Sequence, residues 1–65
     1  MLMAGREVYF EFTTLGGAVK VVAIDSETAV EVSVMGPASA SEADMKQLAL
    51  RKLKARLARE TGEKP

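Results

Sequence analysis

The sequence predicts an α+β fold in which a three-stranded antiparallel β-meander is followed by one C-terminal α-helix packed on one face of the sheet. Three segments before residue 36 alternate apolar and polar side chains with a period of two, which is typical of half-buried strands. Turn-forming residues separate these segments, and the last third of the chain is built from strong helix formers. With 65 residues in all, we predict one domain over residues 6–61, with frayed ends at 1–5 and 62–65.

The first two predicted strands cover residues 7–14 and 18–24 and form a hairpin around Gly16-Gly17. Two glycines tolerate the positive φ angles that tight hairpin turns require. With the glycines as a two-residue loop, the cross-strand pairs are Leu15–Ala18, Thr14–Val19, Phe12–Val21 and Phe10–Ala23.

The third predicted strand covers residues 29–35 and ends at Gly36-Pro37, because proline cannot donate a ladder hydrogen bond. Asp and Ser in the preceding stretch favour a turn through side-chain bonds to nearby backbone groups. If Ser26-Glu27 is the loop, both hairpins place the same apolar residues on one face, and a one-residue slip would destroy that agreement. This loop predicts the pairs Asp25–Thr28, Ala23–Val30, Val21–Val32 and Val19–Val34.

The predicted helix runs for about 20 residues to Glu60, with Gly62 as a stop. Its start has two candidates: Ser39 with Glu42 fits a capping box, and Ser41 is a competing N-cap. Spacing of three and four residues predicts one apolar stripe made of Met45, Leu48, Ala49, Leu53 and Leu57.

One helix covers one face of a sheet, so the opposite face is predicted to be open. A sheet face exposed to water usually carries polar side chains, whereas Tyr9, Val22, Ile24, Ala29 and Met35 would here form an apolar patch. We therefore predict a protein interaction domain. It forms a homodimer, either through this face or by edge pairing of strand one or three, or it binds an unidentified protein through the same face. The predicted interface is Tyr9, Lys20, Val22, Ile24, Glu31 and Met35.

The composition argues against catalysis. The chain has no cysteine and no histidine, which removes thiolate chemistry and the commonest general base and zinc ligand. The turn with Asp25, Glu27 and Thr28 offers too few oxygen ligands for calcium, and no run of residues is apolar for long enough to span a membrane. We therefore predict a non-enzymatic cytoplasmic protein with no catalytic residues, no cofactor and no metal.

The net charge is zero, but the charges are unevenly distributed. Residues 1–45 carry two basic and seven acidic side chains, whereas residues 46–65 carry seven basic and two acidic ones. This polarity complements the helix dipole, and it also permits weak nonspecific nucleic-acid binding as an alternative function. The β-β-β-α order is loosely similar in topology to the later part of a double-stranded-RNA-binding domain, although the helix start is acidic here. The alternative site is Arg51, Lys52, Lys54, Arg56 and Arg59.

Three stretches carry a further resemblance: VKVVAID at residues 19–25, EVSVMGP at 31–37 and LRKL at 50–53. They resemble a family of small uncharacterised alphaproteobacterial proteins, a domain of unknown function, over about residues 6–57. Where that family is expected to have a Thr-Gly turn, this sequence has Thr28-Ala29. The resemblance implies a compact cytoplasmic bacterial protein and assigns no activity, cofactor or site residue.

Overall fold

The computed structural model describes residues 7–61 and contains four elements. They are β1 (Val8–Leu15), β2 (Ala18–Asp25), β3 (Glu31–Pro37) and α1 (Glu42–Thr61). The strands form one antiparallel sheet in the order β1-β2-β3, and α1 packs on one face of it over β2 and β3. The predicted β-β-β-α fold is confirmed. The ends predicted to fray lie outside the described residues.

The first hairpin has the predicted register at every pair, from Leu15 opposite Ala18 to Phe10 opposite Ala23. Of its two loop glycines, Gly16 has a φ of 60° and Gly17 lies outside the left-handed region. A positive φ at the first central position alone is the pattern of a type II′ turn. Only the first glycine is therefore required by the backbone.

The register predicted for the second hairpin is wrong by two residues. Val21 lies opposite Val34, and Val19 lies opposite Gly36. The connecting loop spans residues 26–30, so β3 begins two residues later than predicted and continues through Gly36-Pro37 instead of ending there. Because side chains alternate with a period of two, a shift of two keeps every residue of β3 on its predicted face.

A buried aspartate shapes this longer loop. Asp25 is fully buried, and its Oδ2 accepts hydrogen bonds from the Thr28 backbone N–H at 3.0 Å and the Thr28 hydroxyl at 2.7 Å. The Ala29 N–H donates to the Asp25 carbonyl at 2.9 Å, and Ala29 has a left-handed φ of 63°. Ala29 and Val30 therefore belong to the loop, and their predicted place in the third strand is wrong.

Ser41, and not Ser39, caps the helix. The Ser41 Oγ accepts a hydrogen bond from the Asp44 N–H at 3.1 Å, and its carbonyl accepts the first helical bond, from the Met45 N–H at 3.0 Å. Glu42 and Asp44 in the first turn place negative charge at the positive end of the helix dipole.

The core lies between α1 and the helix-facing side of β2 and β3. Leu48 was predicted to join it but is 47% exposed, because a line of contacts spaced four residues apart places residue 48 on the flank of the helix. Met45 lies directly over Gly36, where an added Cβ would be 2.8 Å from the methionine sulfur. The buried apolar residues are Val21, Ala23, Val32, Met45, Ala49 and Leu53, with Leu57 packed against them.

Candidate protein interaction site

The sheet face opposite α1, called here the outer face, brings all six residues of the predicted interface together. The observed registers fix which side chains are neighbours across the three strands. Ala29, which was predicted to join this patch, lies in the second loop instead. The four cross-strand rows of the outer face are Tyr9–Ile24–Glu31, Glu11–Val22–Ser33, Thr13–Lys20–Met35 and Leu15–Ala18–Pro37.

Large apolar side chains are exposed on this face. Among residues 7–61, the exposed large hydrophobic residues are Tyr9 at 53%, Leu15 at 51%, Met35 at 59% and Leu48 at 47%. The first three of these four lie on the outer face, and Leu48 lies on the helix. The apolar surface is thus concentrated where no second layer covers the sheet.

Leu15 and Ala18 of the fourth row were predicted to pair, but neither they nor Pro37 were predicted to belong to the outer face. Leu15 and Tyr9 are separated by an even number of positions along β1. Because side chains alternate between the two faces of a strand, the sequence already indicated that they share a face. Pro37 could not be placed, because the third strand was ended before it. The row extends the apolar surface to the end of the sheet where the first turn lies.

Charged groups lie among these apolar side chains. Glu11 and Glu31 are exposed on the outer face, and Lys20 is half-buried there. At the Tyr9 end, the tyrosine hydroxyl donates a 2.8 Å hydrogen bond to the Glu7 carboxylate. This bond, the neighbouring negative charge and slight desolvation raise the pKa of Tyr9 above its ordinary value. The tyrosine therefore stays a neutral donor at physiological pH.

The basic residues predicted as the alternative site do not share one side of α1. The Lys52 Nζ donates a 2.8 Å hydrogen bond to the Ser33 carbonyl, which fixes this side chain at the edge of β3. Arg51 and Lys54 instead border a shallow hollow with Leu50 on another flank of the helix.

The remaining basic pair lies towards the end of the helix. The Arg56 Nε is 3.0 Å from the Glu60 Oε2, and the two residues form an exposed ion pair between positions four residues apart on the helix. Arg59 is exposed. The structure therefore leaves Arg51, Lys54 and Arg59 as cations with no ion pair to another described residue.

Two serines have structural partners in place of a catalytic arrangement. The Ser41 Oγ caps α1, and the Ser26 Oγ accepts a 2.9 Å hydrogen bond from the Glu7 N–H. Within residues 7–61, no three acidic side chains converge into a group suited to holding a metal ion. Over the same residues, no helix has both the length and the apolar character that crossing a membrane requires.

Comparison with known proteins gives one match. A family model described as "Domain of unknown function (DUF6898)" matches residues 5–60. No curated protein and no solved structure shows significant similarity to the chain. The match confirms the resemblance to a domain of unknown function, while the alphaproteobacterial origin and the cytoplasmic location stay predictions.

Proposed function

Because the chain belongs to the DUF6898 family, a domain of unknown function, we propose its function from the structure. It is a small non-enzymatic interaction domain that pairs with a second copy of itself through the outer face. One observation carries the proposal: Tyr9, Leu15 and Met35 are each more than half exposed on the same uncovered side of the sheet.

The size of the domain supports association. A chain of this length buries only about 60% of the surface that its unfolded form exposes, so its own core is thin. Contiguous apolar surface on a small domain marks an interaction site more often than a free surface. Covering the outer face with a second copy adds the apolar burial that α1 supplies on the other side.

The outer face is complementary to itself under a two-fold axis. Place the two-fold axis in the plane of the interface, perpendicular to the strands and midway between the second and third rows. Tyr9 of each copy then lies over Leu15 of the other, and Ile24 lies over Ala18. The side chains in both of these pairs are apolar. The same symmetry brings Lys20 of each copy within reach of Glu11 of the other, so the half-buried lysine gains a carboxylate partner.

Sedimentation equilibrium of the wild-type chain and two matched variants tests this proposal. Met35→Glu places a charge on the outer face, and Leu48→Glu places the same charge on a similarly exposed apolar residue of α1. We expect a dimer for the wild type at low and high salt, a monomer for Met35→Glu and an unchanged dimer for Leu48→Glu. Circular dichroism checks that both variants fold.

A second outer-face variant separates loss of the interface from loss of the fold. Ile24→Asp should also give a folded monomer, because Ile24 lies at the opposite end of the same face from Met35. A wild-type monomer at several hundred micromolar would overturn the proposal. So would a Met35→Glu variant with the mass of the wild type.

Nucleic-acid binding is the alternative, and the exposure of Arg51, Lys54 and Arg59 supports it. Fluorescence anisotropy with a labelled single-stranded RNA of 20 nucleotides tests it on the same samples. The alternative requires RNA binding at low salt, with an affinity that falls steeply as the salt concentration rises. The affinity should also be lower for an Arg51→Gln, Lys54→Gln double variant. Absence of binding at low salt would remove the alternative.

A further inference from the structure

The two edges of the sheet differ. At the β3 edge, the Lys52 Nζ donates a 2.8 Å hydrogen bond to the Ser33 carbonyl, which points away from β2. This side chain blocks the middle of β3 against pairing with a new strand. Among residues 7–61, no side chain makes a hydrogen bond of this kind to the outward backbone groups of β1. Within this part of the chain, the β1 edge is therefore the more accessible of the two.

The register shows which β1 groups are available. The Ser26 N–H donates to the Glu7 carbonyl at 2.9 Å, so residues 7 and 26 form a hydrogen-bonded pair. Bonded and non-bonded pairs alternate along an antiparallel ladder. The odd-numbered residues of β1 therefore bond to β2. The N–H and C=O groups that point to the open edge belong to Val8, Phe10, Phe12 and Thr14.

A groove lies beside this edge, on the helix side of the sheet. Because α1 packs over β2 and β3, Phe10 and Phe12 of β1 are only half-buried. A groove of about 370 Å³ separates Phe10 from the flank of α1 formed by Ala43, Lys46, Gln47 and Leu50. A second hollow of about 200 Å³ lies beside Phe12. The side chains of a strand added to β1 would enter this space.

Lys46 is the charged residue on the helix rim of the groove. The Lys46 Nζ lies 5.6 Å from the centre of the Phe10 ring. Arg51 and Lys54 border the adjoining hollow, which shares Gln47 and Leu50 with the groove. The acid near this groove, Glu42, lies at the Phe12 end. A strand lying along β1 therefore meets positive charge over Phe10 and beyond.

We propose that the β1 edge and this groove form a docking site for an extended acidic peptide segment of another protein. The peptide adds a fourth strand to the sheet through the outward groups of Phe10 and Phe12. Its alternate apolar side chains cover the two phenylalanine rings, and its carboxylates face Lys46 and Lys54. The site is separate from the outer face and stays open when that face is paired.

The same charges disfavour a second copy as the occupant. Pairing β1 with β1 of another copy places both helices on one face of a six-stranded sheet, with the two grooves side by side. Lys46, Arg51 and Lys54 of both copies would then surround one shared groove and repel each other. An acidic segment neutralises these cations instead.

An NMR titration with a synthetic peptide tests the site. The probe is acetyl-Asp-Thr-Val-Thr-Val-Thr-Glu-amide, whose valines and terminal acids share one face when the peptide is extended. We expect the amide protons of Phe10 and Phe12, which have no ladder partner in the free sheet, to exchange more slowly by at least about ten-fold when the peptide is bound. The amide of Glu11, already bonded to β2, should change little.

Matched variants define the charge requirement. Lys46→Glu and Lys54→Glu should each weaken peptide binding by about five- to ten-fold, whereas Arg59→Glu, the same charge reversal at an exposed position near the end of α1, should change it by less than about two-fold. A probe with lysine at both ends should bind at least about ten-fold more weakly. Three results would overturn the proposal. They are equal binding of the lysine probe, slowed amide exchange at Ser33 or Met35 in place of Phe10, and no slowing of exchange at millimolar peptide. A fourth is protection of Phe10 that appears without peptide and grows with protein concentration, because that would identify a second copy as the occupant.

Discussion

The two hairpin turns of this small sheet have different causes. The turn between β1 and β2 is two residues long, and the backbone freedom of Gly16 is sufficient to form it. The loop between β2 and β3 covers residues 26–30, and it is organised around the buried carboxylate of Asp25. The first turn can be predicted from two adjacent residues, whereas the second depends on where a side chain is buried.

This difference explains why one register was predicted correctly and the other was not. A pair of glycines specifies both the position and the length of a turn. Asp25, Ser26 and Thr28 specify only that a turn occurs, because their side chains can bond backbone groups in turns of several lengths. In the folded protein, the Asp25 carboxylate bonds both the N–H and the hydroxyl of Thr28. That interaction selects the longer loop.

The largest predicted effect comes from removing the carboxylate that organises the second loop. Asp25→Ala should lower the free energy of unfolding by about 2–4 kcal/mol, because the Thr28 N–H and hydroxyl lose the acceptor that their partly buried hydrogen bonds share. A domain of this size has only about 3–5 kcal/mol in total, so the variant should be only marginally stable at room temperature. Urea denaturation followed by circular dichroism measures the loss.

The control for this variant is Glu27→Ala, in the same loop but at an exposed position. It should change the free energy of unfolding by no more than about 0.5 kcal/mol. If Asp25→Ala were as stable as Glu27→Ala, the carboxylate would not be what organises the second loop, and the contrast between the two turns would fail.

A smaller effect is expected in the first turn, and it should depend on which glycine is replaced. Gly16→Ala should cost about 1–2 kcal/mol, because alanine is strained at a φ of 60°. Gly17→Ala should change stability by less than about 0.5 kcal/mol, since a Cβ at either glycine meets no atom within 4 Å and Gly17 is outside the left-handed region. Denaturation midpoints of the two variants, compared directly, check this; equal losses would contradict it.

The smallest effect is a gain in the second loop. Ala29→Gly should raise the free energy of unfolding by about 0.5–1 kcal/mol, because glycine removes the strain at a φ of 63° but adds freedom to the unfolded chain. A glycine is also what the resemblance led us to expect after Thr28. Thermal denaturation should show a higher midpoint than the wild type, and a lower midpoint would mean that the loop tolerates Ala29 without strain.

The candidate interface was predictable to the extent that strand alternation is predictable. Because the register error was two residues, Glu31 and Met35 stayed on the outer face with Tyr9, Lys20, Val22 and Ile24. The neighbours across strands changed: Ile24 was expected beside Ala29 and lies beside Glu31. The six predicted interface residues therefore share the outer face, but Ala29 does not join them, and the neighbours of the charged residues differ from those predicted.

The groove beside β1 illustrates a different limit. The predicted pairs of Phe10 and Phe12 place both rings on the apolar face of the sheet, and they do face the helix side. A helix is about 10 Å across and covers about two strands, so it can sit over either end of a three-stranded sheet. Nothing in the local sequence of β1 states that α1 lies over β2 and β3. That placement leaves the two rings half-buried beside the Lys46 rim.

The sequence by itself determined the elements, their order, the first turn and the face on which each strand residue lies. These features follow from local backbone preferences and from side-chain period, which act over a few neighbouring residues. Only the tertiary structure decided the second register, the exposure of Leu48, the use of Ser41 as the cap and the difference between the two sheet edges. Each of these depends on a contact or a packing choice that local propensity leaves open, such as the Asp25 carboxylate with Thr28 or Lys52 with Ser33.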